Sequence, residues 1–434
     1  MSDDRFDAII VGGGMAGLSA AIVMANAGLE VMLCERGDSC GSKNMTGGRL
    51  YGHSLEKVIP GFAKEAPIER RVTKEIISIM NDESSFNLDF ASKKLSNTAE
   101  NASYTVLRGK FDRWMGEKAE EAGVALLSQI LVDKILMEGD KVVGIDAGGE
   151  EIYGDVVILA DGVNSLLAQQ IGMKKELQPH EVAVGVKEVI RLDEATINQR
   201  FGLRDDEGAA WLSMGQPTAG SFGGGLIYTN KDSLSVGIVA TIEDIGYTEP
   251  IGLSVPQMLD RFKEHPSVAP YIEGGEVIEY TAHLVPEGGI HMIPELYRDG
   301  VLVVGDAAGF CVNMGFTVRG MDFAIESGRL AAETVIHAKT AGDFSADTLK
   351  MYRTLLNQSF VIKDMQSLKG FPTLLSRREI FRDVPDMTDD IATKLFTVDG
   401  KPSMDFLMYV INSFTSHTTV AQLSEFASTI LNAF

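Results

Sequence analysis

Cysteine, tryptophan and positive charge are all scarce in this chain of 434 residues. It has three cysteines, two tryptophans, and 39 Lys+Arg against 61 Asp+Glu, for a formal charge of −22. Cys34, Cys40 and Cys311 cannot build a disulfide framework, and they supply too few thiolates for a four-cysteine cluster or a zinc site. Cys34 and Cys40 read as structural or incidental, so any iron–sulfur chemistry must come from a partner. The acidic balance argues against nucleic acid and against bulk attraction to anionic membranes. No acid–base dyad stands out among the seven histidines, and His53, His283 and His291 read as structural. Long apolar runs are missing too, with one exception: Ala8 to Leu29 carries no charged residue. Three consecutive glycines would weaken a spanning helix there, and Asp3, Asp4 and Asp7 are opposite in sign to a signal-peptide n-region. The chain reads as cytoplasmic, or peripheral on the inner face of the cell membrane. Its length and 45% hydrophobic content suit two or three domains or one elaborated α/β enzyme.

That uncharged run is the most informative segment. A β-branched strand, Ile9 to Val11, ends at Gly12, and Gly12, Gly14 and Gly17 hold the G-x-G-x-x-G spacing before an alanine-rich helix. The first glycine permits the tight turn, the second lets the backbone approach a pyrophosphate, and the third lets helix and strand pack closely. The phosphates then face a helix N-terminus, whose unpaired N–H groups and dipole favour negative charge. Glu35, 18 residues after Gly17, stands close to the ~20 expected for a carboxylate that binds ribose hydroxyls, and it disfavours a 2′-phosphate.

Two later segments decide which dinucleotide this is. Val156 to Ser165 is a strand running into Asp161-Gly162, and Gly300 to Gly309 is another ending at Gly305-Asp306. Asp306 falls at a strand's carboxyl end, where open α/β sheets bind ligands. A helix is expected from about Thr317 to Lys339, with Met321, Ala324, Ile325, Gly328 and Ala331 on one face. No second G-x-x-G helix start follows Gly223-Gly224-Gly225, and no C-x₄-C pair occurs, so NAD(P)H is not expected as a second Rossmann ligand.

With these segments the sequence resembles the FAD-dependent group of aromatic hydroxylases, geranylgeranyl reductases and electron-transfer flavoprotein:quinone oxidoreductases. The match narrows to the FixC-like branch of the last of these through Gly41 to Tyr51, Val106 to Asp112, Ala183 to Lys187, Gly305 to Gly309, Gly315 to Asp322 and Leu395 to Gly400. The resemblance implies FAD as cofactor. It implies that Asp306 binds the ribityl chain, and that the helix after it aims its N-terminus at the flavin pyrimidine, where its dipole would favour the charge of the reduced ring. Lys43 to Gly48 would pass over the flavin, and Arg108 would open a helix beside the phosphate and ribityl part. The full set of cofactor residues is Gly12, Gly14, Met15, Ala16, Gly17, Glu35, Arg36, Lys43, Asn44, Gly47, Gly48, Arg108, Ala160, Asp161, Gly162, Gly305, Asp306, Gly315, Phe316 and Thr317, with no metal ligand and no catalytic side chain. Lys43 and Arg49 read equally as solvated loop charges, and Arg108 as a helix cap or salt-bridge residue.

The implied activity is transfer of electrons from reduced electron-transfer flavoprotein to quinone. Larger relatives carry a fused ferredoxin-like domain, so a separate ferredoxin-like iron–sulfur protein is implied as partner. The alternative is a geranylgeranyl-reductase-like enzyme reducing isoprenoid double bonds. The expected fold is α/β: a Rossmann-like FAD-binding domain of the aromatic-hydroxylase type (1–75, 105–181, 284–346), an inserted α+β substrate or quinone domain (76–104, 182–283), and a helical C-terminal region (347–434). Ile76 to Tyr104 reads as a hairpin, Phe111 to Ala122 as a helix, and Val182 to His283 as strands interrupted by a helix at Val255–Glu264. Trp211, Phe222 and Tyr228 read as core or as the lining of an apolar pocket. Between Lys350 and Arg382, seven basic residues face two acids and interleave with Phe360, Met365, Phe371 and Leu375. That pattern fits an interfacial membrane patch, a core-packed helix or a partner-docking face.

Overall fold

The computed structural model describes residues 5–44, 46–245, 252–400, 406–417 and 428; the parts of the 347–434 region at 401–405, 418–427 and 429–434 lie outside the described residues. The alternation of apolar strands with helices gives a mainly parallel sheet of eight strands. Its central order is Tyr297–Arg298, Val301–Val303, Glu150–Leu159, Arg5–Val11, Val31–Glu35, Ala125–Ser128. Arg5–Val11 runs parallel to both neighbours, with Val11 beside Leu159 and Cys34, and Leu159 beside Val303. Gly12, Ala160, Val304 and the end of Glu35's strand therefore leave the sheet along one edge. All residues of the short central strand Val31–Glu35 are buried, as expected where helices cover both faces.

The helix Met15–Asn26 packs against the helix Met321–Ala341, and glycine sets the separation. A Cβ on Gly328 would stand 2.1 Å from the Ala16 carbonyl oxygen, and one on Gly305 would stand 2.8 Å from the Ala16 side chain.

The second sheet has nine strands, with order Glu276–Pro286, Val182–Arg191, Ser233–Thr241, Gly223–Thr229, Glu207–Gly215, Ile68–Met80, Ser103–Val106, Gly48–Tyr51, and Ser85–Ala91 pairing off Ile68–Met80. Its strand Ile68–Met80 is one continuous run of 13 residues, so the sheet begins before position 76 and also takes in Gly48–Tyr51. The helix Val255–Glu264 forms as expected. Its Met258, Leu259 and Phe262 cover one face of the sheet over Val186, Ile190, Trp211, Ile227 and Ile238. Trp211 is therefore core. The alternate residues, Lys187, His283 and Ser235 among them, lie on the opposite face, because strand side chains alternate.

Two expectations need correction. The helix expected from Thr317 begins at Met321, because Val318-Arg319 pairs with Val312-Asn313 as a short hairpin that turns through Gly315 at φ +77°. The apolar residues of 350–382 also face inward. Val361 and Met365 join the main core, while Phe371, Leu374, Leu375 and Phe381 enclose Phe222. Arg378 pairs with Asp244 at 3.0 Å and Arg382 with Asp383 at 2.6 Å. The region is packed helix with charged residues on its outside, and lacks the exposed apolar face that lipid burial requires. Among the described residues no helix is long and apolar enough to cross a membrane.

Candidate functional site

At the shared strand edge the backbone is shaped by three glycines. Gly12 has φ +109°, and a Cβ there would sit 2.3 Å from the Ala160 carbonyl oxygen; a Cβ on Gly17 would sit 2.1 Å from that of Gly12. Gly14 differs, since nothing lies within 4 Å of its Cβ position. The tight turn and close packing thus fall on the first and third glycines, and the second opens onto free space. Met15 and Ala16 begin the helix and are buried. Glu35 is buried, and its carboxylate accepts the N–H groups of Gly13 at 2.8 Å and Gly37 at 2.6 Å, which fixes it beside the glycine turn. The Cys34 and Cys40 thiols are pushed up by burial to about 11 and about 12, in keeping with a structural role.

Buried charges gather at the same edge. Arg108 opens the helix Arg108–Glu121 and binds both oxygens of Asp112, at 2.7 Å each; Asn44 donates to Asp112 at 2.6 Å. Arg108 is a salt-bridge residue, and its pair ties the 41–44 loop to the helix. Burial raises the Asp306 carboxyl, while His283, Arg108 and Lys174 hold it down. Those four groups therefore share one neighbourhood. Lys174 links the two aspartate segments, donating to Val163 O at 2.9 Å and Ala307 O at 3.0 Å. Asp161 accepts Leu167 N–H at 3.3 Å through Oδ2, but its buried Oδ1 has no partner. An orphaned acceptor, the open space over Gly14, a helix N-terminus and a buried arginine suit a ligand with hydroxyl donors and a pyrophosphate. FAD fits that donor and acceptor set.

The remaining expected residues are less concentrated. Arg36 and Lys43 are exposed, and Ala160 and Gly162 are half-buried. A Cβ on Gly47 would meet Ser235 of the second sheet, and one on Gly48 would meet Met321 at the start of the long helix. Gly315 and Phe316 are exposed, and the Thr317 carbonyl closes the hairpin by accepting Met314 N–H. The hairpin tip is thus separate from the helix start, where Gly320 and Met321 stand instead.

Sequence reasoning missed several polar groups. Arg49 is not a solvated loop charge: it lies under Tyr51 at 4.7 Å and bridges to Glu75. Asp322 is fully buried at the helix start, paired through Oδ2 with Arg319 at 2.5 Å and His53 at 3.2 Å, with Oδ1 unpartnered. Arg319 and Asp322 lie inside the Gly315–Asp322 motif, so the signal was present without a role attached. Glu287, at the end of strand Glu276–Pro286, lines a small cavity with Phe222, Cys311, Asn313 and Met365, so Phe222 does line a pocket.

Burial pushes the Glu287 carboxyl from 4.5 up to about 7, offset only by hydrogen bonds from Asn313. The folded chain holds this proton more tightly than the unfolded one. Stability conferred here is therefore lost as pH rises from about 4.5 through about 7, by up to about 3 kcal/mol at ~1.4 kcal/mol per unit. Glu287→Gln should unfold at higher urea than wild type above pH 7 and at the same urea near pH 4.5. Parallel urea midpoints at all pH values would contradict the assignment.

Comparison with known proteins agrees with this geometry. A family model described as FAD dependent oxidoreductase matches residues 7–170, and one described as ETF-QO, ubiquinone-binding matches residues 182–285. The chain is 53% identical over 403 residues to the probable electron transfer flavoprotein-quinone oxidoreductase YdiS of Escherichia coli K12, covering 93% of each chain. It is 49% identical over 400 residues to the FixC protein of the same strain, covering 92% of each, and 40% identical over 413 residues to FixC of Azorhizobium caulinodans, covering 93% of each. Among solved structures, a geranylgeranyl bacteriochlorophyll reductase-like protein from Thermoplasma acidophilum aligns at TM-score 0.71 with 20% identity, over 98% of this chain and 99% of that one. The flavin-dependent brominase Bmp2 aligns at 0.63 with 18% identity, over 95% and 100%. At those identities the structures speak for the fold alone.

Proposed function

This chain is an FAD-dependent oxidoreductase that belongs to the electron transfer flavoprotein–quinone oxidoreductase family alongside the FixC proteins, and on that premise we propose how it works. The residues of the strand edge would hold FAD, which would supply the redox chemistry between a reduced electron-transfer flavoprotein as donor and a quinone as acceptor. A small ferredoxin-like iron–sulfur protein acts as a separate partner, since three cysteines cannot hold a four-cysteine cluster. The observation that carries this reading is the match of residues 182–285 to a ubiquinone-binding family, in the sheet whose inner face holds His283 and Lys187 beside Asp306 and Arg108.

In this reading Gly12, Gly14, Met15, Ala16 and Gly17 hold the pyrophosphate, and Glu35 and Arg36 flank the adenosine side. Arg108, Ala160, Asp161, Gly162, Gly305 and Asp306 bind the ribityl and phosphate part. Lys43, Asn44, Gly47 and Gly48 cover the ring, and Gly315 to Thr317 support the loop leading to the pyrimidine edge. The bound flavin supplies the redox chemistry, while the protein sets its potential and shields it. Peripheral contact with the inner face of the cell membrane, which a lipid-soluble acceptor calls for, falls better on the strand Ser85–Ala91 than on 350–382. Its Phe86, Leu88 and Phe90 share one face and are 50%, 60% and 53% exposed.

Anaerobic assay of the holoprotein with reduced electron-transfer flavoprotein and a short-chain ubiquinone tests the proposal. Quinol formation that needs all three components is the expected result. Electron transfer that proceeds to NAD(P)⁺ and never to quinone would overturn it.

A further inference from the structure

On the inner face of the nine-stranded sheet lies a lysine that has no counter-ion among the described residues. Lys187 is 5% exposed. Its Nζ donates to the Gly47 carbonyl at 2.7 Å and stands 5.6 Å from the centre of the Tyr228 ring. The fold makes room for it: a Cβ on neighbouring Gly237 would come within 2.4 Å of Lys187 Cγ.

The groups that face Lys187 can be named element by element. Strand Glu276–Pro286 offers Thr281, its register partner, and His283, the partner of Gly185. Strand Ser233–Thr241 offers Gly237, with Ser235 against Gly47. Strand Gly223–Thr229 offers Tyr228, whose hydroxyl is raised by burial and stays neutral. The helix Arg108–Glu121 offers Arg108, a like charge. Asp112 is already committed to Arg108. Burial, and then Arg108, push the lysine down to about 7. A buried amine with a carbonyl and an arginine for company is an expensive arrangement for packing alone, and this one holds the segment that covers the flavin in the reading above.

We propose that Lys187 is the charge-compensating residue of the flavin site, a neutral amine when the cofactor is oxidised and an ammonium when it is reduced. The inference rests on FAD lying between the two sheets. The balance is simple. Two electrons and one proton convert FAD to FADH⁻, and a second proton from solvent converts the Lys187 amine to ammonium, which cancels the new charge in a cleft of low dielectric. On oxidation by a quinone, two electrons, the flavin proton and the lysine proton leave together. Those are the two electrons and two protons that a quinol contains.

The test is the pH dependence of the two-electron potential of the holoprotein, titrated with dithionite from about pH 7 to about pH 9. Each proton taken up contributes about 30 mV per pH unit to a two-electron couple. Wild type is expected near 60 mV per unit, and Lys187→Met and Lys187→Arg near 30, because the first cannot titrate and the second stays charged. Proton uptake followed with an indicator dye in weak buffer, after subtracting the protons that the same amount of dithionite releases when it reduces free FAD under identical conditions and adding back the one proton taken up by free FAD, should be two per flavin in wild type and one in either variant. Arginine keeps the stem and the positive head, so it serves if methionine fails to fold. A wild-type slope near 30 mV with one proton per flavin overturns the proposal. So does a Lys187→Met or Lys187→Arg protein that keeps the wild-type slope, which would move the proton to His283 or another group. FAD that fails to bind at all would instead strike at the cofactor site.

Discussion

Gly17→Val should purify without FAD. The added Cβ alone would stand 2.1 Å from the Gly12 carbonyl oxygen, 3.1 Å from Ile10 and 3.3 Å from Ala160. The nearest obstacle is backbone in the phosphate turn itself, so the helix must lift off the strand or the turn must open. Overpacking of this kind costs about 1–3 kcal/mol in an ordinary core. On the proposed placement it falls on the turn that would meet the pyrophosphate, so up to about two decades of affinity should be lost at ~1.4 kcal/mol per decade. Gly14→Ala is the informative partner. With nothing within 4 Å of its Cβ position, it should melt like wild type as apoprotein and still bind FAD more weakly. Flavin released by acid, counted against protein, reads both variants. A Gly17→Val protein with full flavin would mean that the cofactor lies elsewhere.

Asp112→Ala should be the most destabilising single change at the site. Asp112 is fully buried, and the Arg108 it binds is 18% exposed at the side chain. Removing the carboxylate leaves a guanidinium buried beside Lys187 and His283, both of which already feel its charge. Breaking a buried pair from one side costs about 3–5 kcal/mol. It also frees Asn44, and with it the 41–44 loop. Urea unfolding of the holoprotein measures the loss, and Asp112→Asn should recover part of it through the Asn44 and Arg108 contacts. A change below about 1 kcal/mol, the range of an exposed pair, would contradict the assigned burial.

What could be read from the sequence follows from how each signal is encoded. Gly12, Gly14 and Gly17 act within one turn, so their spacing alone located the tight turn, the open position and the close helix–strand packing. Val255–Glu264 is amphipathic over its whole length, and its apolar stripe marks a helix on a sheet. Asp306 could be placed because a strand ends just before it. The hairpin at 312–319 was hidden because two residues pair with two across an exposed glycine, too short for any period to show. The inward turn of 350–382 was hidden because basic residues beside buried phenylalanines give the same composition as basic residues beside exposed ones. Lys187, Glu287 and Asp322 were hidden for a deeper reason. The face on which a lysine falls depends on register with strands far away in sequence, such as Lys187 against Thr281 and Gly237. Hydrophobic patterning reports apolar burial and says nothing of a polar group carried inside with it.

The central claim is that the flavin held at this edge hands its electrons to a quinone. The most direct measurement is a single turnover: holoprotein reduced with dithionite, freed of excess reductant, and mixed anaerobically in a stopped-flow instrument with a short-chain ubiquinone or with an isoprenoid alkene such as geranylgeraniol. The flavin absorbance should return with quinone, with one quinol formed per FAD, and stay bleached with the alkene. Reoxidation by the alkene with none by the quinone would contradict it, and would place the chain with the reductases whose fold it shares.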